Sequence, residues 1–139
     1  MKAITLWQPW ATAMAFGLKR IETRSWGTRY RGELAVHSSK REPYAATIAP
    51  VGERAIKTIP APWPRGSVVA VCELVECVPI EQAYKGLSDL EYCLGDYSGG
   101  RYAWITRSLR KLKEPVPCRG RQGIWNVSPE LEKLIREQL

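Results

Sequence analysis

The stretch that decides the fold is Gly17-Leu18-Lys19-Arg20-Ile21-Glu22-Thr23-Arg24-Ser25-Trp26. Residues 9–16, just before it, open with a proline and continue with good helix formers, which predicts a short helix. The glycine that follows predicts the end of that helix, because glycine adopts the left-handed terminating conformation without steric cost. The chain should then run on as a strand with Glu22, Arg24 and Trp26 on one face. Such a charged corner is costly to bury unless its groups pair with each other or with a ligand.

Length and composition predict one domain, residues 1–139, with a core that needs no disulfide support. Apolar residues make up 45% of the chain, yet they form no run long enough to cross a membrane. The N-terminus lacks the pattern of a secretory signal, which favours a cytoplasmic location. The net charge of +7 favours polyanionic partners, nucleic acid above all, although solubility alone explains it equally well.

The titratable sulfur and imidazole groups do not suggest a metal site. The four cysteines form no CxxC pair, and His37 is the single histidine. We therefore expect no metal and no cofactor. The cysteines, which a cytoplasmic protein keeps reduced, are Cys72, Cys77, Cys93 and Cys118.

Hydrophobic periodicity in the rest of the chain predicts an α+β domain, a small mixed β-barrel flanked by short helices. Residues 67–78 are apolar on both faces and so need cover on both sides. Residues 43–58 have helical composition, with a break expected near Pro50. Ser88 and Ser128 are predicted to cap short helices. Strands are predicted at 2–6, 21–26, 33–38, 67–78, 101–106 and 120–127.

Several separated motifs, in the same order along nearly the whole chain, resemble the ASCH domain family. They are Trp-Gln-Pro-Trp-Ala at 7–11, Gly-x-Lys-x-x-Glu-x-Arg at 17–24, Arg31-Gly32 ahead of residues 36–40, and Gly-x-x-Gly-x-Trp at 120–125. The resemblance implies a β-barrel similar to the PUA domain. It also implies a nucleic-acid-binding module, usually for RNA, with Lys19, Glu22 and Arg24 at a cleft beside the first helix.

The function that we predict is binding of RNA, or of a modified nucleotide within it, in a basic cleft by a monomeric domain. Cations interleaved with aromatic side chains after the first helix suit phosphates and unpaired bases. Lys19, Arg31 and Lys40 would attract phosphate, Glu22 would bind a base edge with Arg24 orienting it, and an aromatic ring would stack. The candidate binding residues are Lys19, Glu22, Arg24, Trp26, Arg29, Tyr30, Arg31, His37, Ser39 and Lys40, with Trp7, Gln8, Trp10 and Glu73 as the cleft wall.

Hydrolysis is the alternative that the resemblance brings with it. One branch of the family removes the acetyl group of an acetylated cytidine with a lysine, a threonine nucleophile and a glutamate. Here Glu22 holds the threonine position, and Thr23 should face the other way because a one-residue shift reverses a strand side chain. Another branch resembles a metal-dependent or metal-stimulated ribonuclease. If the chain is an enzyme of either kind, its catalytic candidates are Lys19, Glu22 and His37.

Two further interpretations involve no chemistry on nucleic acid. Some members of the family sit in transcription or RNA-processing assemblies, so the domain could bind protein. Alternatively, Glu22, Arg24 and Glu73 could form an ion-pair network that fixes the corner and never meets a ligand.

Overall fold

The computed structural model describes residues 1–42 and 53–139. The expected break near Pro50 lies outside these residues. The strands are β1 (Lys2–Leu6), β2 (Ile21–Arg24), β3 (Gly32–Ser38), β4 (Ser67–Pro79), β5 (Tyr102–Pro117) and β6 (Ile124–Asn126). The helices are α1 (Trp10–Ala15), α2 (Glu53–Lys57), α3 (Asp89–Cys93) and α4 (Pro129–Glu137), with a 3₁₀ turn at Ile80–Gln82.

One curled sheet of the order β2-β5-β4-β3-β1-β6 forms a half-barrel. β1 and β3 are parallel, and the other neighbours are antiparallel. The curl brings the edge strand β2 back towards β1, where Nη2 of Arg24 donates to the carbonyl oxygen of Thr5 at 2.8 Å. The predicted α+β architecture, a barrel-like mixed sheet with short helices, is confirmed.

The sheet is covered on both faces. Ala11 and Met14 of α1 are fully buried against Ile4, Val36 and Trp104 on one face. On the other face, Ile135 of α4 packs in a second cluster with Ala3, Ala35, Val71 and Leu112. This confirms that the doubly apolar segment 67–78 needs cover on both sides.

The residues predicted to end α1 and to cap α3 and α4 have these roles in the structure. Gly17 has a φ of +72°, the left-handed conformation that ends α1. The hydroxyls of Ser88 and Ser128 accept the backbone N–H groups of Glu91 and Leu131, and so cap α3 and α4.

The predicted bounds of three strands were wrong: β2 ends at Arg24 and not at residue 26, β6 covers only Ile124–Asn126, and β5 runs well beyond residue 106. β5 continues to Pro117, because the basic segment that follows residue 106 pairs with carboxylates across the sheet. Arg107 lies 3.1 Å from Glu73, and Arg110 lies 3.3 Å from Glu33. Charged residues and three register shifts along β4 and β5 hide the period-two alternation that would have revealed this strand.

Candidate functional site

A cavity of about 750 Å³ opens beside α1, between the edge strand β2 and the end of β1. Three segments line it: the end of β1 with the start of α1, the corner 19–24, and the segment 92–101, which is the end of α3 and the loop after it. Its charged lining is mixed, since three cations face two carboxylates. These charged residues are Lys19, Arg24 and Arg101, together with Glu22 and Asp96.

Lys19 lines this cavity, but its side chain is only 1% exposed. Its Nζ donates to the carbonyl oxygens of Ile21 and Leu94, each at 2.7 Å. It also lies 3.4 Å from Oε1 of Glu22. The ammonium group therefore fixes the corner and holds the carboxylate, and it has little surface left for a phosphate.

The Glu22 carboxylate is held on both of its oxygens. Oε1 accepts the backbone N–H of Thr23 at 3.2 Å, and Oε2 accepts Nε of Arg24 at 3.2 Å. Arg24 is itself anchored on the Thr5 carbonyl. In this geometry Arg24 orients Glu22, and the carboxylate presents a fixed hydrogen-bond acceptor to the cavity.

Two buried polar groups of the lining have no hydrogen-bond partner among the described residues. They are the hydroxyl of Tyr97 and Nε of Arg101, although Oδ2 of Asp96 lies 3.5 Å from the latter. Burial, reinforced by Glu91 and Glu22, raises the pKa of the Tyr97 hydroxyl, so it remains a donor. A buried donor without a partner costs free energy, which a ligand in the cavity would recover.

The aromatic part of the lining comes from two places. Trp7 and Trp10, both predicted for the cleft wall, lie at the β1–α1 end. The segment 92–101 contributes Tyr92, which is 56% exposed and stacks on Tyr97 with ring centroids 5.4 Å apart. Sequence reasoning missed Tyr92, Tyr97 and Arg101, because only the folded chain brings 92–101 against the corner.

The structure does not bring His37 to Lys19 and Glu22. Alternation along β3 puts Val36 on the α1 face, so His37 lies on the opposite face, edge-on to Trp125. Nε2 of its ring lies 2.9 Å from the carbonyl oxygen of Cys118, and Nδ1 lies 3.1 Å from the Thr5 hydroxyl. A neutral ring satisfies both contacts, donating through Nε2 and accepting at Nδ1.

Acid is expected to destabilise the fold through His37. Burial lowers the pKa of this imidazole below its ordinary value of 6.5, with the Cys118 contact opposing the shift in part. Below pH 6.5 the unfolded chain therefore binds a proton more readily than the folded one, and stability falls as the pH falls. The slope cannot exceed one proton, or about 1.4 kcal/mol per pH unit.

Urea denaturation between neutral pH and pH 5 measures this effect. The carboxyl groups contribute mainly at lower pH, and His37 is the single histidine. His37→Gln should therefore remove the dependence of unfolding free energy on pH in this range, even if it changes the unfolding free energy itself. A slope that survives the substitution would assign the effect to other groups.

The aromatic and cationic residues after β2 lie outside the cavity lining. Trp26 packs edge-on against Trp104, with centroids 4.8 Å apart. The Tyr30 hydroxyl donates to the Glu33 carbonyl, and Arg31 lies 3.0 Å from Glu76. Arg29 is exposed on the same connection.

The other residues predicted for the cleft wall and for binding also lie outside the cavity lining. Gln8 is buried, and its side chain accepts the N–H of Thr12 and donates to the Pro64 carbonyl, so it braces the start of α1. Glu73 pairs with Arg107 on the surface and not with the Glu22–Arg24 pair. Ser39 and Lys40 follow β3, where Ser39 is buried and Lys40 is exposed.

Thr23 lines the cavity, but its hydroxyl holds a neighbouring part of the backbone. Oγ1 of Thr23 accepts the backbone N–H of Asp96 at 3.1 Å, which ties the loop after α3 to β2. Within residues 1–42 and 53–139, no three His, Cys, Asp or Glu side chains cluster closely enough to hold a metal ion. None of the helices described there is long and apolar enough to span a membrane.

Comparison with known proteins identifies the class of this domain. The model of the ASCH domain family matches residues 4–116, and the chain belongs to that family. Its fold is therefore PUA-like, which confirms the resemblance seen in the motifs.

Relatives and solved structures agree with this assignment. Activating signal cointegrator 1 of Mus musculus and that of Homo sapiens are each 22% identical over 98% of this chain. The chain spans 24% of the length of these relatives. The crystal structure of ASCH from Zymomonas mobilis superposes with a TM-score of 0.60 at 18% identity, covering 97% of this chain and 93% of that one. A serine-to-alanine variant of it gives a TM-score of 0.58 at 18% identity, covering 99% and 96%. At this identity the likeness supports the fold alone.

Proposed function

We propose that this ASCH domain binds nucleic acid, RNA in preference to DNA, by admitting one unpaired base or modified nucleotide to the cavity beside α1. One observation carries the proposal. The fixed carboxylate of Glu22 and the unpartnered hydroxyl of Tyr97 line the same aromatic-walled cavity of about 750 Å³. That volume is typical of pockets that enclose a small organic ligand.

The chemistry of the lining suits a nucleobase. An ionised Glu22 only accepts hydrogen bonds, so it would pair with the exocyclic amine of cytosine or adenine. The Tyr97 hydroxyl can donate to a ring nitrogen or carbonyl oxygen of the same base. Tyr92 supplies an exposed ring on which a base can stack. Together these groups would distinguish a base by its edge and bind it by its face.

Binding, without bond cleavage, is the function that this geometry favours. The Thr23 hydroxyl accepts a backbone N–H from Asp96, and His37 lies on the opposite face of the sheet. Lys19 and Glu22 therefore have no histidine beside them, and the Thr23 hydroxyl in the same cavity is already engaged with the Asp96 backbone.

A salt-titrated binding series with short RNA and DNA single strands of the same sequence tests the proposal. We expect the affinity for RNA to fall linearly on logarithmic axes between about 50 and 200 mM salt. DNA should bind more weakly. Glu22→Gln adds an amide donor at the point where the base amine is accepted, so it should weaken cytosine- and adenine-rich strands most.

The same tubes distinguish the alternatives. If the RNA were shortened, or acetate were released from acetylcytidine, the domain would be a hydrolase and not only a binding module. If Glu22→Gln weakened binding equally for strands of every base composition, Glu22 would not recognise the base. Lack of binding to any strand would overturn the proposal.

A further inference from the structure

Five exposed cations lie at one end of the sheet. Three chain segments meet there, because the N–H of Gly66 donates to Ser38 at 2.9 Å and that of Cys118 donates to Gly66 at 3.0 Å. These contacts join the end of β3, the start of β4 and the end of β5. We name the group the end patch; it consists of Lys40, Arg41, Arg65, Arg119 and Arg121.

The end patch lacks the counter-charges that lie beside four arginines elsewhere on the domain. All five of its side chains are exposed, and none is within ion-pair distance of a described carboxylate. Glu42 neighbours the patch in sequence but makes no such pair, and residues 43–52 contain no acidic residue. By contrast, glutamates lie within 3.3 Å of Arg31, Arg107, Arg110 and Arg136.

Part of the end patch is held rigidly. A Cβ atom added to Gly120 would lie 2.5 Å from Cε1 of His37 and 2.8 Å from Oγ1 of Thr5. The backbone at this glycine is therefore pressed against the sheet, and it fixes the segment that carries Arg119 and Arg121 on either side. Like charges two residues apart on one fixed segment repel each other, and a bound polyanion would relieve that repulsion.

The end patch is continuous with the cavity. The Arg41 guanidinium lies 5.3 Å from the centroid of the Trp7 ring, and Trp7 lines the cavity. The N–H of Ser39 donates to the Leu6 carbonyl at 2.8 Å, so the start of the patch is attached to the same end of β1. A strand lying across the patch would arrive at the aromatic wall of the cavity.

We infer that the end patch binds the sugar-phosphate backbone of a single-stranded nucleic acid, one base of which occupies the cavity. This inference rests on the proposed function and assigns the phosphate contacts to residues other than Lys19. Continuity with a base-sized cavity favours a single strand over an acidic protein segment, which has no base to insert.

The test compares two double variants with the same loss of two charges. Arg119→Gln/Arg121→Gln removes half of the arginines of the patch. Lys113→Gln/Lys133→Gln removes two exposed lysines on β5 and α4. With a single-stranded RNA, the patch variant should reduce the slope of log affinity against log salt by about 1.4, which is two phosphate contacts. Its affinity should fall about tenfold at moderate salt, and the control variant should stay close to wild type.

The outcomes separate this inference from the proposed function. If both double variants lower the slope equally, the patch has no special role, while wild-type binding still supports the cavity. If the patch variant bound RNA more weakly but kept the wild-type slope of log affinity against log salt, its arginines would not contact phosphates. Displacement of the RNA by polyglutamate at equal charge concentration would favour an acidic protein partner. Absence of wild-type binding to RNA would overturn both proposals.

Discussion

Replacing Lys19 by methionine is expected to lower the free energy of unfolding by about 3 kcal/mol, the range found when one partner of a buried ion pair is removed. The ammonium group is 1% exposed and has three acceptors around it, namely two backbone carbonyls and the Glu22 carboxylate. Methionine fills most of the volume but donates to none of them. The carbonyls of Ile21 and Leu94 would lose this donor, and Glu22 would keep Arg24 as its neighbouring cation.

Urea denaturation measures this change, and two variants control it. Lys113→Met removes an exposed lysine and should change stability by less than about 0.5 kcal/mol. Lys19→Met/Glu22→Met removes the carboxylate as well, so it should be more stable than the sum of the two single changes implies. Strict additivity, or a Lys19→Met variant as stable as wild type, would contradict the role that the contacts give to Lys19.

The local elements could be predicted from the sequence because each depends on neighbours in the chain. Gly17 ends α1, Ser88 and Ser128 cap their helices, and the alternation in β3 is correct in its bounds to within one residue. The burial of Lys19 could not be predicted in this way. One of its carbonyl acceptors, Leu94, lies 75 positions along the chain.

The cationic surface also combines features that the sequence predicts with features that depend on contacts distant in sequence. The segment 107–113 and the pair Lys40–Arg41 look alike in sequence, as runs of exposed positive charge. Strand pairing distinguishes them, because it places Arg107 opposite Glu73 and brings Arg110 within 3.3 Å of Glu33 on the next strand but one. Partners across strands cannot be read from spacing alone, so the end patch emerges only when the sheet is assembled.

Tyr92→Ala is expected to weaken the binding of single-stranded RNA about 30-fold, or about 2 kcal/mol, which is the usual contribution of one base stacked on an aromatic ring. Tyr92 is 56% exposed, lines the cavity and rests on the ring of Tyr97. Its loss would remove the stacking surface without touching a charge. The slope of affinity against salt should therefore stay the same, unlike that of the end-patch variant.

Tyr84→Ala is the matched control for this change. Tyr84 is also an exposed tyrosine against Tyr97, with ring centroids 6.4 Å apart, but it does not line the cavity. Its removal should change RNA affinity by less than about threefold, and Tyr92→Phe should keep wild-type affinity because a phenyl ring stacks as well. If Tyr84→Ala and Tyr92→Ala weakened binding alike, Tyr97 would be losing support in both and Tyr92 would not contact the base. If neither variant weakened binding, the base would lie outside this cavity, because Tyr92 is an exposed part of its lining.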